Sequence, residues 1–137
     1  MACRQAALAA AGLGLALLAA GCGPGGFEVS GTVTIAASLQ SRAPRQNCVM
    51  FIVAKNLGGV PLAVKRIVNP RFPVDFALSG EDLVVPGTYP KDDLRLEVEM
   101  NTRGNVGAPA RGDLAGAYPD PVSSGDHNIH IVVDRQL

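Results

Sequence analysis

Short segments in which apolar and polar residues alternate, separated by turns rich in Gly and Pro, fill the chain from Phe27 onward. The clearest is LRLEVEMN, at residues 94–101, which places Leu and Val on one face and charged side chains on the other. FEVSGTVTIAASL, beginning at Phe27, alternates in the same way. A period of two is typical of a strand with one buried face, so both segments are predicted to be half-buried strands.

Four further segments complete the set of predicted strands. CVMFIVAK, at residues 48–55, is continuously apolar, which predicts a central strand buried on both faces. VPLAVKRIV at 60–68 and PVDFALS at 73–79 each contain a proline near the strand start, where its missing N–H costs least. NIHIVVD at 128–134 is the last predicted strand. The Gly- and Pro-rich stretch 102–127 is expected to hold one short edge strand.

These segments predict an all-β protein, because the chain after residue 26 shows no convincing amphipathic helix. The expected architecture is an antiparallel β-sandwich of about seven strands, of the immunoglobulin or cupredoxin type. A closed barrel is the alternative. The sandwich is expected to be one domain over residues 27–137, and about 110 residues can bury a core without disulfides or metal.

The N-terminal segment has the layout of a bacterial lipoprotein signal peptide, predicted for residues 1–21. Arg4 precedes an apolar run that extends from Ala6 to Ala20, and small residues follow it. The run is short and rich in Ala, which argues against a spanning helix. Ala19-Ala20-Gly21-Cys22 resembles the lipobox, although Leu18 lies one place before the position where leucine is preferred.

Cys22 is therefore the expected lipidation site, and residues 22–26 are expected to be a lipid-anchored tether. Anchoring by more than one acyl chain, such as palmitate, is stable because each buried methylene contributes about 0.8 kcal/mol. Gly23 follows the cysteine where aspartate would be an inner-membrane signal, so resemblance to lipoprotein sorting favours the outer membrane, with the domain facing the periplasm. The remaining Cys48 lies in an apolar run and is expected to be a buried free thiol.

Charge and histidine content make several functions poor hypotheses. The sequence holds 12 Lys+Arg and 12 Asp+Glu, with no basic run, so nucleic-acid binding is not expected. His127 and His130, the two histidines, lie at the start of the last strand and point to opposite faces. No G-x-S-x-G motif is present. We therefore expect no enzymatic activity and no catalytic residues.

No cofactor or metal is expected either. Copper on a sandwich would require two converging His, a Cys and usually a Met, whereas Cys48 and Met100 have the pattern of core residues. Glu81-Asp82 and Asp92-Asp93 lie in turn segments, where solvated carboxylates are usual, although a weak calcium site joining the two pairs is an alternative.

Two surface features are candidate binding sites. Lys65, Arg66 and Arg71 cluster around one turn, where a solvated rim is the favoured interpretation and a basic ridge that binds an acidic or extended partner is the functional alternative. The tripeptide Arg111-Gly112-Asp113 matches an adhesion motif, but such a short match has ordinary turn chemistry and carries no weight.

The order of motifs in the chain resembles a known family. VSGTVTIAASLQSRAP, PLAVKR, FPVDFALSGED, RGDLAG and IHIVVDRQL together resemble the C-terminal periplasmic domain of the tetratricopeptide-type cytochrome c biogenesis protein, the apocytochrome chaperone of the heme-ligation system. The likeness extends over nearly all of residues 27–137. That family usually carries this domain behind transmembrane helices and a helical repeat array, where this sequence has a lipoprotein-like leader.

The resemblance implies a non-enzymatic binding module of the cell envelope whose partners are the membrane, through its anchor, and apocytochrome c or other cytochrome c maturation proteins. It implies no catalytic residues. The alternative is a structural or interaction lipoprotein with an unrelated protein partner, which would use an exposed sheet edge for strand addition.

Overall fold

A computed structural model of the chain describes residues 26–137, so the predicted signal peptide, Cys22 and most of the predicted tether lie outside the described residues. The described part contains seven strands and two short 3₁₀ turns. The strands are β1 (Glu28–Ile35), β2 (Val49–Asn56), β3 (Pro61–Val68), β4 (Val74–Ser79), β5 (Leu94–Asn101), β6 (Leu114–Ala117) and β7 (Ile129–Gln136). The 3₁₀ turns are Ala37–Leu39 and Gly80–Asp82. Among the described residues no helix is long and apolar enough to span a bilayer.

The seven strands form one hydrogen-bonded sheet in the order β3-β2-β5-β6-β7-β1-β4. Five of its pairings are antiparallel, and β1 and β7 pair in parallel with Gly31 opposite Ile129. A parallel pair needs a long connection between its strands, and β1 and β7 satisfy this because they are the first and last strands of residues 26–137.

The two ends of the sheet approach each other and enclose the core. Leu83, just after the second 3₁₀ turn, bridges to Ala63 of β3, and the Val84 N–H donates to the Leu62 carbonyl at 2.9 Å. The sheet is therefore folded over into a sandwich that is nearly closed along this seam. The prediction of an all-β sandwich of about seven strands is confirmed.

Alternating side chains on the inner face build the core as the sequence pattern predicts. In β5, Leu94, Leu96, Val98 and Met100 are all at most 2% exposed. The inward residues of β7, Ile129 to Val133 in steps of two, pack in the same cluster. These side chains cannot be moved to the other face without a one-residue shift in register, so the apolar pattern fixes the register of both strands.

β2 and β6 differ in how well the sequence predicted them. The first six residues of β2 are buried, which confirms a central strand covered on both faces. The short strand predicted in 102–127 is present as β6, but its predicted edge position is wrong, because β6 pairs with β5 on one side and β7 on the other. Three of its four residues, Ala115, Gly116 and Ala117, are small, and β6 and β7 approach closely at Gly116. A β-carbon on Gly116 would lie 2.1 Å from the Val132 carbonyl oxygen.

Candidate binding groove on the outer face of the sheet

The outer face of β2 carries a second apolar cluster. Val49, Phe51 and Val53 point away from the main core, yet each is at most 7% exposed, and Val64 of β3 packs beside them. A sheet face buried to this degree must be covered. The segment joining β5 to β6, residues 102–113, lies over it, because a β-carbon on Gly104 would be 3.9 Å from the Val49 side chain.

The side chain of Asn101, which is 4% exposed, holds the start of this covering segment. Its Oδ1 accepts hydrogen bonds from the backbone N–H of Arg103 at 3.0 Å and of Gly104 at 2.9 Å. Its Nδ2 donates to the carbonyl of Asn105 at 3.0 Å. Asn at the end of β5 thus replaces the sheet hydrogen bonds that the chain loses as it turns.

A bidentate ion pair closes the covering segment across its width. Arg103 donates from both terminal nitrogens to the two carboxylate oxygens of Asp113, at 2.8 and 2.6 Å. The Ala110 N–H donates to the same carboxylate at 2.8 Å. The hydrogen bonds from Arg103 lower the pKa of Asp113, and the Ala110 N–H adds to the effect against the opposing influence of burial. The carboxylate is therefore held in its charged form.

Between the covering segment, the β2–β3 hairpin and the C-terminus lies a groove of about 530 Å³. This outer groove is lined by Val53, Lys55, Gly59, Pro61, Glu97, Val98, Glu99, Val106, Gly107, Pro109, Ala115, Gly116, Arg135 and Leu137. Its size is within the range of sites that bind small ligands or a short peptide segment.

The charged groups that line the outer groove are two carboxylates of β5, Lys55 of β2 and Arg135 of β7. The Lys55 ammonium lies 2.5 Å from Glu97. The neighbouring Glu99 has one buried carboxylate oxygen, Oε1, with no hydrogen-bond partner. Burial raises the pKa of Glu99, the negative charge of Asp113 raises it further, and Lys55 and Arg103 oppose the shift. A buried acceptor without a partner is costly, so a ligand that brings an N–H or O–H donor would relieve it.

The histidines and the acidic pairs lie elsewhere. His130 Nε2 is 2.8 Å from Thr34 Oγ1 on the exposed side of β7, and His127 contacts the Gly125 carbonyl. Asp82 accepts a hydrogen bond from the Ser79 N–H as part of a capping box, and Asp93 accepts one from the Ser123 hydroxyl. Among residues 26–137 no group of three or more His, Cys, Asp or Glu side chains could hold a metal ion.

The predicted basic ridge is divided between two faces of β3. Lys65 pairs with Asp82 at 3.3 Å. Arg66 lies on the opposite face, where a guanidinium nitrogen is 3.9 Å from the position of a β-carbon on Gly104. Arg71 is exposed in the turn between β3 and β4. That these three bind a partner stays a prediction, as does lipidation of Cys22, which lies outside the described residues.

Sequence reasoning missed the outer groove. Its only signal in the sequence is the pair Glu97 and Glu99 on the polar face of β5, where carboxylates are expected to form cross-strand pairs with cations. Those two positions do face away from the core, as the alternation of β5 predicts. No local pattern predicts the covering segment, because its placement depends on the pair between Arg103 and the buried carboxylate of Asp113.

Comparisons with known proteins are consistent with this fold. The family model described as the Ig-like domain of cytochrome c-type biogenesis protein H matches residues 29–134. An uncharacterized protein of Aquifex aeolicus is 28% identical over 108 residues, which cover 78% of this chain and 70% of that protein. No solved structure matches the chain.

Proposed function

This chain belongs to the family of the Ig-like domain of cytochrome c-type biogenesis protein H, and from that premise we propose that it is a non-enzymatic binding module of the bacterial cell envelope that acts in cytochrome c maturation. The observation that carries the proposal is the family match over residues 29–134, which includes β2 to β6 completely and all but the terminal residues of β1 and β7. The partner proposed is apocytochrome c or another maturation protein.

The outer groove is the proposed binding site for such a partner. It joins an apolar floor, formed in part by Val53 and Ala115, to the charged groups Lys55 and Glu97. Glu99 adds an acceptor that has no partner of its own. An extended peptide supplies apolar side chains and backbone N–H donors together, so it matches this combination better than a purely apolar ligand.

Anchoring at Cys22 is the second part of the proposal. It is supported by the apolar run 6–20 and the small residues that precede the cysteine. The domain is proposed to face the periplasm, with the outer membrane favoured because Gly23 follows the cysteine. Growth of the expressing bacterium with labelled palmitate tests it. We expect label in the wild type and in Cys48→Ala but none in Cys22→Ser. Label retained in Cys22→Ser would contradict the proposal.

Titration tests the partner. The chain from Gly23 onward keeps all the buried residues of the described part, so it retains the whole core. It would be titrated with a reduced apocytochrome c, or with its Cys-x-x-Cys-His peptide, and followed by NMR. We expect shifts at residues lining the outer groove. Shifts confined to Lys65, Arg66 and Arg71 would instead assign binding to the predicted basic residues.

Matched variants locate the contact. Glu99→Gln removes the charge of the unpartnered carboxylate and is expected to weaken binding several-fold. Glu81→Gln makes the same change at an exposed position in the second 3₁₀ turn and is expected to leave binding unchanged. No shift anywhere with either ligand would reject the apocytochrome proposal and favour an interaction lipoprotein with an unrelated partner.

A further inference from the structure

One end of the sandwich carries a group of exposed apolar side chains. They are between 48% and 59% exposed, although large apolar residues are normally covered. The members of this apolar end are Leu57, Val60, Val84, Val85 and Tyr89. Single exposed apolar residues are common, but a group of five at one end indicates a contact surface.

Contacts between three segments bring these side chains together. Leu57 and Val60 form the tip of the β2–β3 hairpin, which is closed by the hydrogen bond from the Asn56 N–H to the Val60 carbonyl. Val84 is hydrogen-bonded to Leu62 at the start of β3, directly beside that tip. Later in the same segment, the Tyr89 ring lies over Gly80, where a β-carbon would be 3.4 Å from the ring. The hairpin tip also lies against residues 91–93, with which it lines a shallow depression.

The N-terminus enters the domain at the same end. β1 begins at Glu28, which pairs with Ser79 at the end of β4, immediately before the 3₁₀ turn that leads to Val84. The Gly26 carbonyl accepts a hydrogen bond from Ser124 in the loop before β7, which fixes where the chain arrives.

The length of the tether limits how far this end can lie from an anchor. Cys22 and Phe27 are separated by four residues. Even a fully extended chain spans only about 18 Å over those five peptide steps. An acyl chain at Cys22 would therefore hold Phe27, where the domain begins, within that distance of the bilayer surface, and β1 enters the domain at the end that carries the apolar side chains.

We propose that the apolar end docks on the membrane, with Leu57, Val60, Val84 and Val85 in the interfacial region and the Tyr89 ring at headgroup depth. Aromatic rings with a polar tip favour that depth. This inference rests on the proposed anchor at Cys22. It gives the domain a fixed orientation, in which the opposite end of the sandwich faces away from the lipid.

Acidic side chains beside the apolar end define the lipid it prefers. Glu81, Asp92 and Asp93 are exposed, and Lys91 is the one cation in residues 80–93. Carboxylates so close to the surface are repelled by anionic headgroups. Zwitterionic lipid is therefore the expected occupant, and added anionic lipid is expected to weaken docking.

The test uses single tryptophan reporters, because the sequence contains no Trp. Val85→Trp places a reporter at the apolar end. Val68→Trp is the matched control, since Val68 is 54% exposed against 59% for Val85 but lies at the opposite end of β3. The lipidated full chain would be reconstituted in phosphatidylcholine vesicles that contain lipid brominated in the acyl chains. We expect quenching at Val85→Trp to exceed that at Val68→Trp by about twofold or more, with a blue-shifted emission.

Vesicle flotation in the same preparation separates the two possible failures. A chain that floats with the vesicles but is quenched equally at both positions would overturn the docking inference and leave the anchor intact. A chain that does not float would reject the anchor. Docking would then be measured on the chain from Gly23 carrying an N-terminal histidine tag bound to nickel-chelating lipid, where unequal quenching supports docking and equal quenching rejects it. If a higher protein concentration alone, without vesicles, shifts the emission of Val85→Trp to the blue, the apolar end contacts a second copy of the chain. That result would overturn the inference.

Discussion

Arg103 and Asp113 form a bidentate ion pair, with N–O distances of 2.8 and 2.6 Å, that ties together the two ends of the segment covering the outer face of β2. Asp113 is 5% exposed, whereas the Arg103 side chain is 39% exposed. The carboxylate is thus the buried partner, and it also accepts the Ala110 N–H. Removing the Asp113 carboxylate therefore leaves the Ala110 N–H without an acceptor.

Asp113→Asn is expected to lower the free energy of unfolding at pH 7 by about 1–3 kcal/mol, the usual cost of breaking a buried hydrogen-bonded group. The pKa of Asp113 is lowered in the folded protein, chiefly by its hydrogen bonds from Arg103. The contribution of Asp113 to the free energy of unfolding is therefore fully present above the ordinary aspartate pKa of about 3.9. It is lost as the pH falls below that value. Urea unfolding at pH 7 and pH 3 measures both effects. The exposed Asp120→Asn is the control, and an equal deficit at both pH values would contradict this account.

Glu99→Gln is expected to raise the Tm at pH 7 by a few degrees. Burial raises the pKa of Glu99, so the folded protein binds its proton more tightly than the unfolded chain. The contribution of Glu99 to the free energy of unfolding therefore falls as the pH rises above the ordinary glutamate pKa of about 4.3. Thermal unfolding between pH 4 and pH 8 should show a flatter profile in the variant. A lower Tm at pH 7 would mean that the carboxylate has a stabilising partner.

Much of the fold follows from the sequence because burial on one face imposes a period of two. The alternation in 94–101 predicted both the strand and its inward residues, and the continuous apolar run in 48–55 predicted a strand covered on both faces. The position of β6 inside the sheet was not predicted, because its small residues, including Gly116, carry no strong signal of a strand paired on both sides. Its central place depends on close approach to β7.

The candidate site was less predictable than the fold, because it depends on tertiary contacts. Asp113 was interpreted as part of ordinary turn chemistry with Arg111, whereas its actual partner is Arg103, ten positions earlier. Lys65 and Arg66 were grouped by their place in the sequence, but adjacent residues of a strand point to opposite faces. The cover over β2, and with it the outer groove, was therefore not visible in any local pattern.

Gly31→Ala is expected to destabilise the protein by about 3 kcal/mol, at the upper end of the range for overpacking. A β-carbon there would lie 1.9 Å from the Ile129 carbonyl oxygen, so β1 and β7 would have to separate. Gly107→Ala, where nothing lies within 4 Å, is the matched control and should change stability little. Urea unfolding of both variants measures the difference. Equal stabilities would show that the β1–β7 pairing is looser than described.

Cys48 is expected to be unreactive in the folded protein. It is 0% exposed, and burial raises the pKa of its thiol, which disfavours the reactive thiolate. In the chain from Gly23 onward it is the sole cysteine, so a colorimetric thiol reagent at pH 8 reports on it alone. We expect labelling only as fast as the protein unfolds, and about one thiol per chain in urea. Rapid labelling without denaturant would place the thiol at the surface.

Asn101→Ala is expected to lower the free energy of unfolding by about 2 kcal/mol, because two backbone N–H groups lose their acceptor and a buried amide is removed. The cover should also loosen, so the amides of Arg103 and Gly104 should exchange with solvent faster than those of β5. Asn105→Ala is the matched control, since Asn101 contacts only its backbone carbonyl. Hydrogen exchange followed by NMR compares the variants. Unchanged exchange at Arg103 and Gly104 would mean that the Arg103–Asp113 pair holds the cover without help from Asn101.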